Sequence, residues 1–366
     1  MLIKGTPNLP PPKGAILLIQ LGDIGDVVLT MPTIRTLRDH FPDNRLCVAV
    51  RSKAKELIED CPWVDGVVSI EKKRSGWWEG LTYQAAFIQS LRKHRFEWAI
   101  EIRTGTRGAF LAFLSAAPIR IGRHSGDEGF WRNGMFTHLV RPIGETEQYA
   151  ARHALNILSP FGIATADVMP SLRVTEDRRR KASDLLSHHG VNHTRPIIGL
   201  HPFSLWAYKE WHLGNWSQMI RFIRDTYGYD IILTGSPDDR PRAEALIRKY
   251  EAPAHNLAGT TTVGDMPALL EQSALVIGVD TVALHIAAAV GTPIVGIFGP
   301  SPPMVWAPRG PKHTVVVNGL DCQPCRRKGC DDSERSRCLD ELTWEEVRPQ
   351  VQRQLDNLLH EHTSHE

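Results

Sequence analysis

The chain has 366 residues, and its 43 Lys and Arg against 41 Asp and Glu give a formal net charge of +2. This length suffices for two domains of ordinary size, each with its own core. The near balance of charge excludes an overall attraction to nucleic acid or membrane, so an anionic partner must be bound by a local group of cations. Apolar runs stay well short of the roughly 18 residues of a membrane span, and we expect a cytoplasmic protein without a transmembrane segment.

The first apolar run, residues 15–21, predicts a buried strand after an irregular, proline-rich leader over residues 1–14. The next loop, Gly22-Asp23-Ile24-Gly25-Asp26, permits a tight turn and places Asp26 at the start of a helix predicted over residues 27–40. It lacks the G-x-G-x-x-G spacing of a dinucleotide site, which argues against hydride transfer. Asp26 is therefore either a helix N-cap or a functional carboxylate at the carboxyl end of a strand.

Strands alternate with helices through the rest of the first half. The pattern predicts strands over residues 46–50, 67–70 and 98–102, with helices over 53–60 and 81–94. This alternation indicates an α/β domain with a mainly parallel sheet.

A basic and aromatic rim surrounds the next predicted helix, residues 107–116. Its members are Arg103, Arg107, Arg120, Arg123, Lys72, Lys73, Arg74, Trp77 and Trp78. Guanidinium groups bind carboxylate or phosphate through paired hydrogen bonds, so the functional interpretation is an acidic substrate. The alternative is a solvated charged surface, which we favour for the run from Lys72 to Arg74.

A turn-rich stretch that ends at Pro170 predicts a domain boundary after a helix over residues 147–158. A helix over residues 176–188 and a strand over 197–201 then open a second α/β unit. The loop after this strand is aromatic and contains one lysine.

Polar side chains in this second unit follow the predicted strands. Lys209 can provide a point charge for a phosphate, and Ser204 can donate its hydroxyl. After a strand over residues 230–234, Asp238 and Asp239 can accept hydrogen bonds from sugar hydroxyls, although one of them can equally cap the next helix.

The segment from residue 275 to 298 predicts a strand, a small-residue helix and a second strand. Asp280 and Thr281 fall at the carboxyl end of the first strand, and His285 lies one turn further along the helix. Thr281 can cap this helix, whose amino end attracts an anion such as a diphosphate. The alternative is a capped helix with a satisfied buried histidine.

Four segments in order, LGDIGDVVLTMPTIRTLRDHFP, HPFSLWAYKEW, LTGSPDD and VDTVALHIAAAVGTPIVGIFGPSPP, resemble glycosyltransferase family 9, the ADP-heptose:lipopolysaccharide heptosyltransferases. The resemblance implies a GT-B fold, in which two Rossmann-like domains with parallel sheets face each other across a cleft. It implies an acceptor-binding domain over residues 1–170 and a nucleotide-sugar-binding domain over 171–342. A helix over 343–366, with a capping box at its start, would pack back on the first domain.

The resemblance also implies an activity, inverting and metal-independent transfer of a heptose from ADP-heptose to the lipopolysaccharide inner core, with peripheral contact at the inner face of the cytoplasmic membrane. Asp26 would be the general base and Lys209 the phosphate-binding lysine. Asp280, Thr281 and His285 match the family's D-[ST]-G-x-x-H donor motif, except that Val282 stands where the family usually has glycine. The proposed site residues are Asp26 for catalysis, Ser204, Lys209, Asp238, Asp280, Thr281 and His285 for the donor, and Arg103, Arg107 and Arg123 for an acidic glycolipid acceptor.

Two further hypotheses are a sugar-nucleotide epimerase of similar fold and a non-catalytic nucleotide-binding or glycan-binding module. Catalysis requires no cofactor under the favoured interpretation. Four cysteines near the end leave open a structural zinc or iron site; they are Cys322, Cys325, Cys330 and Cys338. The neighbouring Arg326, Arg327 and Lys328 could instead make this loop an anion contact.

Overall fold

The computed structural model describes residues 1–71, 86–126, 129–331 and 333–363, and it divides into two compact units, Met1–Arg173 and Val174–Glu366. Lys72, Lys73, Arg74, Trp77 and Trp78, and the start of the helix predicted over 81–94, lie outside the described residues. Each unit is built around one sheet, which confirms the predicted α/β class. The roles predicted for the two domains stay predictions.

The first unit contains, among its described residues, a seven-stranded sheet in the order β1-β7-β6-β5-β2-β3-β4. All neighbours are parallel except β1 and β7. The strands are β1 (Leu2–Lys4), β2 (Ala15–Gln20), β3 (Leu46–Arg51), β4 (Gly66–Ile70), β5 (Phe96–Glu101), β6 (Ile119–Arg123) and β7 (His138–Val140). The helices are α1 (Ile24–Leu29), α2 (Met31–His40), α3 (Lys55–Glu59), the described part of α4 (86–93), α5 (Thr106–Leu114), α6 (Phe130–Gly134) and α7 (Leu155–Leu158).

The central strand β2 is buried on both faces, as its continuous apolar sequence predicts. Ile16 and Leu18 pack into the core on one side of the sheet, and Leu17 and Ile19 pack into the core on the other. Because successive side chains of a strand point to opposite faces of the sheet, this six-residue strand contributes to the cores on both sides.

Three predictions for this unit are wrong in detail. The leader is not wholly irregular, because β1 pairs antiparallel with β7. The helix over 27–40 is two helices, since Pro32 in the first turn of α2 has no amide N–H to continue the hydrogen-bond ladder of α1. The helix over 147–158 is a series of short turns, in which Gln148 is extended and its carbonyl accepts a hydrogen bond from the His153 ring.

The second unit contains, in its described part, six parallel strands in the order β10-β9-β8-β11-β12-β13. The strands are β8 (Ile197–His201), β9 (Asp230–Leu233), β10 (His255–Asn256), β11 (Leu275–Val279), β12 (Ile294–Ile297) and β13 (His313–Val316). The helices are α8 (Glu176–His188), α9 (Leu213–Tyr227), α10 (Arg240–Tyr250), α11 (Met266–Glu271), α12 (Val282–Ala289), α13 (Pro303–Trp306), α14 (Arg337–Asp340) and α15 (Trp344–Thr363).

The C-terminal helix α15 contributes its apolar side to the core of the second unit. Val347, Val351 and Leu355 are fully buried there, in the same cluster as β8 and β11 side chains. The Glu346 carboxylate accepts a hydrogen bond from the backbone N–H of Thr343 at 2.7 Å, which is half of the predicted capping box. The apolar side of the helix is thus used within the second unit, and the packing on the first domain that the family resemblance implies stays a prediction.

Candidate functional site

Two polar loops of the first unit lie at the point where the order of the strands in the sheet reverses direction. Strand β2 lies between β3 and β5, so the loops after β2 and β5 leave the same edge of the sheet side by side. In parallel α/β sheets this edge is where ligands bind. The loop after β2 carries Asp26, and the loop after β5 carries Arg103.

Asp26 and Arg103 form an ion pair at this edge. The Arg103 Nη1 lies 2.6 Å from the Asp26 Oδ2, which also accepts the backbone N–H of Asp23 at 2.9 Å. Asp26 is not the N-cap, because the helix begins earlier than predicted: Asp23 occupies that position and Asp26 completes the capping box. In the part of the chain that the structure describes, hydrogen bonds hold only one oxygen of this carboxylate.

Gly22 makes this arrangement possible. A Cβ at this position would lie 2.3 Å from the Asp26 Oδ2 and 2.6 Å from the Arg103 Nη1. The backbone must therefore come close to the ion pair with no side chain between them.

A buried ion pair, which the sequence interpretation missed, lies behind Arg103. The Glu101 and Arg132 side chains are 1% and 3% exposed and contact each other directly. Glu101 accepts the backbone N–H of Arg103 at 3.0 Å, and Arg132 donates to the Arg103 carbonyl at 2.7 Å. Burial raises the pKa of Glu101 to about 7. The pair therefore fixes the backbone of Arg103 from both sides.

The predicted acceptor-binding arginines differ in availability. Arg107 is exposed on α5. Arg123 uses its guanidinium within the first unit, with Glu145 and with the carbonyls of Ile102 and His153. Because all three of its nitrogens are engaged, the structure favours a structural role for Arg123 over acceptor binding.

The second unit repeats the same topology. Strand β8 lies between β9 and β11, so the loops after β8 and β11 share one edge of the sheet. Lys209 from the first loop places its Nζ 2.6 Å from the Oδ2 of Asp280 in the second loop. The Asp280 side chain is buried at 6% exposure and the Lys209 side chain is 22% exposed. Asp280 therefore holds the lysine cation in place at the edge of the sheet.

Thr281 occupies the N-cap position of α12, although its side chain does not cap the helix as predicted. Among the described residues its buried Oγ1 has no hydrogen-bond partner. Leaving a buried hydroxyl unbonded costs roughly 1–3 kcal/mol, so a ligand group that bonds the Thr281 hydroxyl at this edge would be favoured. His285 is buried one turn further along α12.

The remaining predicted donor residues lie in loops of the same unit. The Ser204 backbone N–H donates to Glu210 at 2.9 Å, which tethers the loop that carries Lys209. Of the two neighbouring acids, Asp239 forms the capping box with Ser236, whereas Asp238 is exposed. This assigns the helix-capping role, which the sequence left open between them.

The four-cysteine segment packs against the strand ends of the second unit. Gln323 donates to the Phe298 and Gly299 carbonyls, and the Ser336 hydroxyl donates to the Tyr208 carbonyl at 2.6 Å. Burial, together with the neighbouring thiols of Cys325, Cys330 and Cys322, raises the pKa of the Cys338 thiol to about 11. The described residues contain no group of three His, Cys, Asp or Glu that could hold a metal ion.

Known proteins resemble the chain over most of its length. Lipopolysaccharide heptosyltransferase 3 of Escherichia coli K12 is 28% identical over 289 residues, covering 78% of this chain and 82% of that protein. A family 9 glycosyltransferase from Veillonella parvula superposes with a TM-score of 0.80 at 23% identity, covering 97% of this chain and 100% of that one. The E. coli ADP-heptose lipopolysaccharide heptosyltransferase II superposes with a TM-score of 0.76 at 20% identity, covering 95% of this chain and 99% of that one. These likenesses confirm the predicted GT-B fold.

The family comparison decides between the hypotheses that the sequence left open. The family model for glycosyltransferase family 9 (heptosyltransferase) matches residues 84–334, well over half of the chain. The match supports a glycosyltransferase over an epimerase or a non-catalytic binding module. No helix among the described residues has both the length and the apolar character to cross a bilayer. The protein belongs to glycosyltransferase family 9.

Proposed function

We propose that this protein transfers a heptose from ADP-heptose to an acidic lipopolysaccharide inner-core acceptor, with inversion and without a catalytic metal. The observation that carries the proposal is the buried, unbonded Thr281 hydroxyl at the start of α12, in the loop whose Asp280 holds the Lys209 ammonium. A helix amino end, a cation and an unused donor together favour an anionic group such as a diphosphate. The names of the E. coli relatives support heptose as the sugar and lipopolysaccharide as the acceptor.

In the proposed reaction, Asp26 is the general base. Its carboxylate takes the proton of an acceptor hydroxyl while that oxygen forms a bond to the anomeric carbon of the heptose. The bond from the anomeric carbon to the diphosphate breaks, and ADP leaves with the electron pair. Because attack comes from the face opposite the diphosphate, the configuration inverts.

The hydrogen bonds of Asp26 support this role. Asp23 and Arg103 hold Oδ2, which orients the carboxylate and leaves Oδ1 to receive the proton. Arg103 in turn depends on Glu101 and Arg132, which bind its backbone. We assign Glu101 and Arg132 as positioning residues for the base.

The donor would be held by the second unit. Lys209 and the N–H groups at the start of α12 would stabilise the charge that develops on the leaving diphosphate. Ser204, Asp238 and His285 stay predictions as donor contacts. For the acceptor, Arg103 and the exposed Arg107 are better placed than Arg123 to bind an acidic group.

The cysteine segment is proposed to have no part in catalysis, and metal at Cys322, Cys325, Cys330 and Cys338 stays a prediction. Metal content measured on protein purified without added ions tests it directly. About one zinc or iron ion per chain would establish the site, and less than a tenth of an ion per chain would exclude it.

A titration of ADP, UDP and GDP, followed by a transfer assay with ADP-heptose and inner-core lipopolysaccharide, tests the proposed function. We expect ADP to bind at least about tenfold more tightly than UDP or GDP, and heptose to appear in the acceptor. Preference for UDP or GDP, or release of an epimerised sugar nucleotide without acceptor, would contradict it.

A further inference from the structure

Four exposed aromatic side chains in the first unit belong neither to its core nor to the proposed base. Phe110 and Phe113 lie on α5, and Phe130 and Trp131 lie on α6. Phe130 is 77% exposed, and the other three are 45–52% exposed. Scattered apolar side chains are normal on a protein surface, but clustered ones mark a binding surface.

Phe110, Phe113 and Trp131 form one surface, and together with Phe130, the neighbour of Trp131 in α6, we call it the aromatic patch. The ring centroids of Phe110 and Trp131 are 5.9 Å apart, which joins the two helices. Phe110 and Phe113 are one turn apart and face the same side of α5, whereas Ala109 and Ala112 on its opposite side are fully buried. The helix is thus apolar on both sides, although only one side packs against the sheet.

Three arginines adjoin the aromatic patch. The Arg120 guanidinium lies 5.8 Å from the centre of the Phe113 ring, and exposed Arg107 precedes Phe110 by one turn. Arg92, exposed on α4, donates to the carbonyl of Leu114 at the end of α5, at 3.1 Å. Residues 102–126 and 129–142 contain arginines and no Asp or Glu, while Asp127 and Glu128 between them lie outside the described residues.

We infer that the aromatic patch is a peripheral binding surface for an anionic lipid bilayer. Phe and Trp rings with adjoining arginines suit the boundary of a bilayer, where rings enter the interface and cations meet anionic headgroups. A nucleic acid fits poorly, since the chain carries a formal net charge of only +2. The inference deepens the proposed function, because a lipid-linked acceptor would be presented at such a surface.

Vesicle binding by the full chain tests this inference without donor, acceptor or turnover. The native protein should co-sediment with vesicles containing phosphatidylglycerol and much less with vesicles of phosphatidylcholine alone. The double variant Phe130→Glu, Trp131→Glu should bind the anionic vesicles at least about tenfold more weakly, because it loses two apolar contacts and adds negative charge. Its ADP affinity should be unchanged, which shows that the second unit is intact, and an unchanged melting temperature would show that the first unit is folded.

Leu205→Glu is the matched control, because Leu205 is 81% exposed but lies in the second unit. It should bind anionic vesicles like the native protein. Equal binding to both kinds of vesicle, native-like binding by the double variant, or an equal loss in Leu205→Glu would overturn the inference. A native dimer that the double variant dissociates, without vesicle binding by either, would assign the aromatic patch to self-association and overturn it as well. Loss of heptose transfer with vesicle binding intact would count only against the proposed function.

Discussion

In each unit an ion pair joins the loops that follow two neighbouring parallel strands, and in both pairs the acid is less exposed than the cation; the pairs differ in how deeply the acid is buried. In the first unit the Asp26 side chain is 24% exposed and that of its partner Arg103 is 46% exposed. In the second unit Asp280 is only 6% exposed, while Lys209 is 22% exposed. A similar local topology therefore presents a carboxylate that can exchange a proton in one unit and a cation held by a buried carboxylate in the other.

The difference in burial between Asp26 and Asp280 suits the two acids to different tasks. A buried, paired acid such as Asp280 is suited to holding a cation, because its charge is compensated and shielded from water. An acid at the surface with one oxygen held, such as Asp26, is suited to accepting a proton. Four substitutions test this contrast.

The largest effect is expected for Asp26→Asn, which keeps the shape of the side chain and removes the base. Heptose transfer should fall by about 10² to 10⁴, with ADP affinity unchanged. Initial rates and calorimetric ADP titration measure the two properties on the same preparation. A parallel loss of ADP binding would show that the two edges are not specialised as proposed.

Lys209→Ala should act on the donor instead. Removing the ammonium that would contact the diphosphate should weaken ADP binding by about tenfold to a hundredfold. Lys53→Ala is the matched control, because Lys53 also pairs with an aspartate, Asp23, at a strand end of the first unit. ADP affinity should be native in that variant. If both lysine variants bind ADP equally well, Lys209 has no role in donor binding.

Glu101→Gln tests the positioning of the base. Loss of the carboxylate leaves Arg132 buried without its counter-charge, which should shift Arg103 and lower turnover by about tenfold at unchanged ADP affinity. The pH dependence of stability gives a second readout. Burial raises the pKa of Glu101 to about 7 from its ordinary 4.5, so the folded state binds this proton more tightly than the unfolded chain does. Its contribution to the free energy of unfolding is therefore present below about pH 4.5 and is lost as the pH rises through 7.

The control is Glu145→Gln, in the neighbouring pair with Arg123. Burial opposes the shift, but hydrogen bonds from Arg123 and Asn156 lower the pKa of Glu145, so its contribution is lost as the pH falls. Thermal unfolding between pH 3 and 8 should show opposite slopes: the stability difference between native protein and Glu101→Gln should fall as the pH rises toward 7, and the difference for Glu145→Gln should fall as the pH drops below about 4.5. Slopes of the same sign would refute the assignment of Glu101.

Thr281→Val should have the smallest effect. The Thr281 hydroxyl has no hydrogen bond among the described residues, so its loss should leave the melting temperature unchanged or raise it, and should weaken ADP binding about fivefold. Thr30→Val provides the contrast, because the Thr30 hydroxyl donates to the Asp26 carbonyl at 2.7 Å and accepts from Gln20 at 2.7 Å. That variant should lose about 1 kcal/mol of unfolding free energy or more. Native ADP affinity in Thr281→Val would exclude the hydroxyl from the donor site.

The apolar strands and the loops that follow them could be predicted from the sequence. Continuous runs such as residues 275–279 are found where they were predicted, and parallel strands bring their carboxyl ends to one edge. Strands β6 and β7 were missed, since Ile119–Arg123 contains two arginines and His138–Val140 has only three residues. Short or charged strands of this kind lack the apolar pattern on which the prediction depends.

The partners of the polar residues could not be predicted, because they come from distant parts of the chain. Asp26 and Arg103 are 77 residues apart, and Lys209 and Asp280 are 71 apart. In the sequence, Glu101 is recognisable only as an acid at the end of an apolar strand. Nothing in the short segment around Arg132 indicates that this side chain is buried. The order of the strands, which periodicity does not specify, brings these groups together.

Chemical rescue of Asp26→Ala most directly tests the claim that Asp26 is the base. In this variant, heptose transfer should be nearly absent, and added formate should restore it in a concentration-dependent way by at least about tenfold, because a small carboxylate can occupy the space of the missing one. Formate should not restore heptose transfer in Asp280→Ala, because the Asp280 carboxylate holds the Lys209 ammonium and accepts no proton in the proposed reaction. Turnover of Asp26→Ala within about twofold of the native rate in the absence of formate, or a low rate that formate does not raise, would contradict the account.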